Sequence, residues 1–585
     1  MVISYRPRSA LRDVGRALGL TLEDIQAVSR GLQWHQGHLQ IEPQWLRDRG
    51  LDPDLPLHRL WLELTEALIG FPRHLSQHPG GFVIARDDLA QLVPVENAAM
   101  EGRSVIQWDK DDLESLKLLK VDVLALGMLN AIRKCFQLVE KHHQRSLSIS
   151  EITRRQDDPH VYRMIQKADT IGVFQIESRA QMSMLPRLKP ACYYDLVIQI
   201  AIVRPGPIQG DMVHPFLKRR DHKEPVSYPS EEVKSVLERT MGVPIFQEQV
   251  IKLAMVAAGF SGGEADQLRR AMASWKKNGD LAKFRPKLIN GMQERGYDLA
   301  FAERIFDQIC GFGEYGFPES HSASFAVLAC CSAWLKYYYP AEFYTALLNS
   351  QPMGFYSPSQ LVQDARRHGV EVLPVCVNHS KYQHHLVSRP NGRLGVQLGF
   401  RLVKGFNAES AQRLIERKPL NGYRSIQEVK QILRSRSDIE LLASANAFQI
   451  LSGNRYNARW AAMDSLSDLP LFHKVEEPSV SYQTQPSEYE NLIEDYASTG
   501  LSLRRHPIKL LEETGKLPHF TRMRQLAEKP HRSLVTVVGV VTGRQSPGTA
   551  AGVTFFTLED DTGNINVVVW QATARAQKQA YLGAK

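Results

Sequence analysis

The chain has 585 residues, of which 43% are hydrophobic and 23% charged, and a formal net charge of +9. That length allows about three to five domains of roughly 100–200 residues, and the composition is that of a folded globular protein rather than a disordered or collagenous one. No run of about 18 apolar residues is available to span a membrane. The basic balance favours a polyanionic partner, nucleic acid first, because phosphates attract clustered Lys and Arg over long range.

The six cysteines (Cys135, Cys192, Cys310, Cys330, Cys331 and Cys376) form no CxxC pair. Neither a zinc ribbon nor a thioredoxin-type site is indicated, and free thiols suit a reducing cytoplasm. The opening MVISYRPRSA has no apolar core of a signal peptide.

In chain order, residues 5–20 read as the start of a helix carrying Arg8, Arg12 and Arg16 at i, i+4 and i+8, three cations on one face. That face suits a nucleic-acid backbone or plain solvent. Residues 20–75 keep a helical leucine period broken by Pro43, Pro53 and Pro56. HPGGFVIA (His78–Ala85) reads as a turn into a strand. KVDVLALG (Lys120–Gly127) is a second short strand, and MLNAIRKCFQLVEKHH a helix. Asp122 sits in this otherwise apolar strand, where a carboxylate is costly unless paired or metal-bound. Lys120, two residues earlier, points to the same side.

Residues 131 to about 390 are mainly helical. They carry IGVFQIESR (Ile171–Arg179), VRPGPIQG (Val203–Gly210), IFQEQV (Ile245–Val250), QLRRAM (Gln267–Met272) and GFGEYGFPESHSAS (Gly311–Ser324). The last ends near a helix start at Ser320 or Ser322. Gln247, Glu248 and Gln249 read as packing residues. FRLVKGFNAESAQRLIER (Phe400–Arg417) holds a Lys404-Gly405-Phe406 hairpin entering a helix that Asn407 can cap. It looks like a helix-hairpin-helix, with a degenerate copy in SDIELLASANAFQIL; such hairpins offer backbone N–H groups to DNA phosphates. Residues 465–530 read in part as a linker. The segment after it alternates over at least three strands, with turns at Gly552 and Thr562-Gly563, like an OB-fold that stops before its last strands.

These motifs, in this order and spacing, resemble the bacterial C-family DNA polymerases, the DNA polymerase III alpha-subunit family. YRPRSALRDVGRALGL and LEDDTGNINVVVW look most like its error-prone, damage-inducible branch. The resemblance implies a mainly helical, multidomain α+β architecture. Its parts would be the end of a first palm segment (1–20), a thumb (21–77), a second palm segment with Asp122 (78–130), fingers (131–390), a helix-hairpin-helix region (391–463), a linker (464–530) and an incomplete OB-fold (531–585).

It also implies an enzyme, a DNA-directed DNA polymerase acting in translesion synthesis and repair by two-metal nucleotidyl transfer with Mg²⁺. Asp122 matches the third of three metal-binding palm aspartates, the other two lying in a PDxDxDF segment before YRPRSALRDVG. Neither Asp109-Lys110-Asp111 nor Asp52-Pro53-Asp54 has the apolar strand flanks of that segment. The chain is therefore expected to be truncated at both ends, to hold one metal ligand of three and to be inactive alone. It would be completed by an upstream polypeptide, or else be a non-catalytic DNA-binding remnant of a split gene.

Lys120, Arg269 and Arg270 match residues that contact the triphosphate, where guanidinium forks suit phosphate oxygens. Arg204 is a phosphate or template contact or a stiffener of its proline-flanked turn, and His321 a nucleotide or DNA contact or a buried structural histidine. Pro318-Glu319 stands where replicative members more often have Asn-Lys, which removes a cation. The expected partners are primer–template DNA, deoxynucleoside triphosphates and translesion accessory proteins, with no membrane. SDLPLF resembles a sliding-clamp peptide with Leu469, Leu471 and Phe472 as anchors; the same residues could cover the chain's own surface.

Overall fold

A computed structural model describes residues 2–29, 34–35, 38–39, 46–47, 51–75, 78, 80–98, 100–108, 110–154, 157–203, 213–278, 280–312, 318–463, 485–545 and 553–583. Helices dominate, with small sheets beside them. The chain divides into two units, residues 1–126 with 518–585, and residues 127–517.

In the first unit the helix Pro7–Ala17 begins on Pro7, whose missing N–H costs nothing at a helix start. It buries Ala10, Leu11, Val14 and Gly15 and leaves Arg8, Arg12 and Arg16 exposed. Its buried stripe packs with Ile25, Val28, Leu46 and Leu51 around Trp61, which is wholly buried and donates from Nε1 to the Leu11 carbonyl at 2.8 Å. Gly15 is required by this packing: a Cβ there would lie 2.9 Å from both Ile25 and the Trp61 ring. The helix Pro56–Leu68 also starts on its proline, so Pro56 opens a helix rather than breaking one. Strand Val2–Ser4 pairs antiparallel with Pro72–Leu75, and Gly81–Ile84 with Leu119–Asp122.

Toward the C-terminus of this unit, Val540–Gln545, Thr554–Glu559 and Asn564–Val569 form an antiparallel meander. Its last turn is built on buried Asp560, which accepts from the amides of Thr562, Gly563 and Met523. Burial alone would raise this carboxyl; the three amides and the Thr562 hydroxyl outweigh it and hold it below its ordinary value.

The second unit is built around one large apolar core. Helix Tyr193–Ile202, buried from Asp195 to Ile202, packs on the 20-residue helix Glu319–Tyr338. A small sheet is ordered His385–Ser388, Leu394–Gln397, Val372–Leu373, the last pair parallel. The hairpin region follows expectation locally: Asn407 Oδ1 accepts from the Ser410 amide at 2.7 Å and caps Ala408–Glu416.

One expectation is met to within a residue and one needs correction. The helix expected to start at Ser320 or Ser322 has no serine cap. It starts at Glu319, whose amide donates across the fold to Glu248 Oε2 at 2.9 Å, while Ser322 is buried and donates to the Val197 carbonyl. The region read as a linker contains ordered helices, Glu488–Ser498 and Pro507–Glu513, because its Ser487/Glu490 capping box nucleates the first of them and Leu492 and Leu501 are buried.

Candidate active-site residues and nucleic-acid-binding elements

Asp122 closes the strand Leu119–Asp122, in register with Gly81 on the partner strand. Lys120 and Asp122 point to one side, and the ammonium of Lys120 bridges both carboxylate oxygens at 2.6 and 2.7 Å. His78 Nδ1 lies 3.5 Å from Oδ1. The two glycines of HPGG make this approach possible. A Cβ on Gly80 would sit 2.1 Å from the Val123 carbonyl oxygen, and one on Gly81 would sit 2.9 Å from Asp122 Oδ1. Gly80 and Gly81 thus floor the Asp122 site. His78 was not singled out in the sequence, although its place two residues before a Gly-Gly pair facing an apolar strand was a usable signal.

Arg269 and Arg270 lie on the helix Gly262–Asn278 of the second unit, both exposed. Each donates through Nε to Asp266, at 2.9 Å to separate oxygens. Their guanidiniums, Arg269 first, hold the Asp266 carboxyl below its ordinary value. One carboxylate one turn back therefore orients two forks, each meeting it through Nε and Nη2.

His321 is partly buried on Glu319–Tyr338, its ring 4.2 Å from that of Phe325, which in turn meets Phe174 of IGVFQIESR edge-on. Glu319 accepts from Tyr194 Oη at 2.8 Å, and Arg239 stacks over the Tyr194 ring at 3.8 Å. Gln249 works as a packing residue: its Oε1 accepts from the Ile245 and Phe246 amides and its Nε2 donates to Thr240 and the Val236 carbonyl.

The IGVFQIESR loop is held by a buried polar network that the sequence did not suggest. Lys336 is wholly buried, and its ammonium donates to Asp169 and Asp364 at 2.9 Å and to the Ile171 carbonyl at 3.1 Å. Tyr344 donates to Asp364 at 2.6 Å, and His368 Nε2 meets Asp169 at 2.7 Å. Asp169, Asp364 and His368 are the grouping of metal-ligand type among the described residues, but Lys336 already supplies the positive charge at its centre. Burial would raise Asp169 and lower His368. The bond to His368 and the Lys336 charge outweigh burial at Asp169 and depress it, while the bond to Asp169 raises His368 against both burial and the Lys336 charge. Glu177 lies deeper. It accepts from the Gly172 amide at 3.0 Å, and burial pushes its carboxyl up to about 7.

In the hairpin, Gly405 takes φ +83°, the left-handed turn that only glycine adopts cheaply. The Lys404 amide donates to the Ser498 carbonyl, and its ammonium to the carbonyls of Tyr496 and Ala497 at 2.9 and 2.8 Å. Arg204 and the SDLPLF residues Leu469, Leu471 and Phe472 lie outside the described residues. Lys120 and Asp122 belong to the first unit, and Arg269, Arg270, His321, Lys404 and Gly405 to the second.

Comparison with known proteins places four family models along the chain. They are the bacterial DNA polymerase III alpha NTPase domain over residues 1–125 and the finger domain of the same subunit over 128–296. A helix-hairpin-helix motif follows over 369–458 and an OB-fold nucleic acid binding domain over 535–582. Among similar curated proteins, the error-prone DNA polymerase of Vibrio parahaemolyticus is 81% identical over 591 aligned residues, that of Vibrio vulnificus 70% over 584, and that of Alkalilimnicola ehrlichii 54% over 586. In each case 100% of this chain is covered, and the chain spans 57% of the relative's length.

Proposed function

Because the chain belongs to the bacterial DNA polymerase III alpha-subunit family, we propose that it serves DNA-templated DNA synthesis of the error-prone kind, in bypass and repair of damaged template. The observation that carries this reading is the Lys120–Asp122 pair: a carboxylate and an ammonium on one side of an exposed strand, floored by glycines. In this reading Asp122 binds a catalytic metal, and Lys120, Arg269 and Arg270 contact the triphosphate of an incoming deoxynucleotide. His321 and Arg204 lie beside nucleotide or DNA. The hairpin region and the OB-like strands grip primer–template backbone, and Leu469, Leu471 and Phe472 anchor a sliding clamp. The setting is the cytoplasm, and no described helix is long and apolar enough to cross a membrane.

The residues around Asp122 do not by themselves fit Mg²⁺, which demands six oxygen donors in near-ideal octahedral geometry. The described contacts of Asp122 include the Lys120 ammonium on both its oxygens and the His78 nitrogen. No grouping of three ligand side chains includes it among the described residues. No metal-dependent step is therefore assigned to this chain alone. Catalysis requires further carboxylates, which we attribute to a palm-completing polypeptide. The same observation favours a second reading, a DNA-binding protein without polymerase activity.

Primer extension tests both. The purified 585-residue chain is given primer–template, Mg²⁺ and four deoxynucleotides, beside Asp122→Ala. The expected result is no extension with salt-sensitive DNA binding. Extension abolished by Asp122→Ala would show that the chain completes its own metal site. Absence of DNA binding would sink both readings.

A further inference from the structure

The segment 485–503 crosses the hairpin region as a strap. Its helix Glu488–Ser498 carries Glu488, Glu490, Glu494 and Asp495 and no Lys or Arg. Three cations of the hairpin region point at it. The Lys404 ammonium and amide are taken by the carbonyls of Tyr496, Ala497 and Ser498. Arg455, wholly buried, pairs with Asp495 and donates to the Asn491 carbonyl at 3.2 Å. Arg459 pairs with Glu494 at 2.6 Å. Leu501, just beyond the helix, is buried in the same core, and Ser502 donates to Asp495 at 2.7 Å.

A helix C-terminus gathers unpaired carbonyls and the negative end of the macrodipole. Together with two carboxylates it offers these cations the groups a DNA phosphate backbone would offer. The hairpin's own N–H donor and its lysine are the groups a phosphate would need, and both are spent inside the chain.

We propose that this acidic strap is an autoinhibitory mimic of the DNA backbone, withholding Lys404 and Arg459 from duplex DNA until it is displaced. The proposal rests on the reading that this chain binds DNA. Arg455, buried beneath the strap, belongs to its seat; Lys404 and Arg459 lie at its edges, where exchange with phosphate needs no burial of new charge.

The test is duplex binding by the full chain, measured as affinity against salt, for the unmodified chain, Glu494→Gln, Lys404→Ala and the double variant. Glu494→Gln removes a strap charge without adding a cation. It is expected to tighten duplex binding about tenfold and to steepen the salt dependence by about one to two counterions, since each phosphate neutralised contributes a slope of about −0.9. Lys404→Ala is expected to cancel much of that gain in the double variant, because the released strap then exposes no lysine at the hairpin. A second measurement does not depend on the variants: on adding duplex to the unmodified chain, the amides of 488–498 and of Lys404 should exchange faster with solvent. The proposal is overturned if the double variant keeps the whole gain of Glu494→Gln. It is equally overturned if Glu494→Gln leaves affinity and slope unchanged while strap amides stay protected on DNA. Loss of duplex binding in every form would instead remove the DNA reading beneath it.

Discussion

The molecule contains the same pairing, lysine on aspartate, in two settings. Lys120 and Asp122 meet at 2.6 Å with side chains 30% and 38% exposed. Lys336 meets Asp364 at 2.9 Å with side chains 0% and 5% exposed. In the first, water already solvates both charges, so the pair adds little to stability and exchanging one partner for another costs little. In the second, three hydrogen bonds to the ammonium compensate a large desolvation cost, and the carboxylates it holds are also engaged by Tyr344 and His368. Nearness of Asp, His and Lys therefore does not mark a working site; exposure and the number of satisfied donors separate the two.

Substitution at the buried pair is the strongest way to break this contrast. Lys336→Ala strands two carboxylates beside each other, and a loss of about 3–5 kcal/mol is expected in chemical denaturation; a loss under about 1 kcal/mol would place that network with the surface pairs. Proton linkage at Glu177 sharpens the same point. Its carboxyl is raised from the ordinary 4.5 to about 7, so the folded state binds the extra proton. Stability is then greatest below about pH 4.5, as far as this group is concerned, and falls as pH rises through 7. The loss amounts to at most about 3 kcal/mol. Glu177→Gln should flatten this slope between pH 5 and 8 in unfolding scans. His368, raised by Asp169 against burial, acts in the same direction, its contribution fading as pH rises past its folded value. The smallest effect is expected at the exposed pair. Asp122→Asn should shift the unfolding midpoint by less than about 1 kcal/mol, and a larger shift would make the Lys120–Asp122 pair structural.

Much of this protein could be read from residues because the relevant physics is local. Proline at a helix start, Asn407 as a cap, the left-handed Gly405 and the alternation of NINVVV depend on neighbours within a few positions. So do the same-side placement of Lys120 and Asp122 and the neighbouring forks of Arg269 and Arg270. What tertiary structure alone decided lies at long sequence separation. Glu248 caps a helix 71 residues away, Lys336 holds a loop 167 residues away, and the middle of an expected linker returns over 90 residues to take Lys404. A lysine in a helix or an acidic run after a loop has no local mark for these roles. The charge or carbonyl that satisfies each is brought in only by the packing of the core.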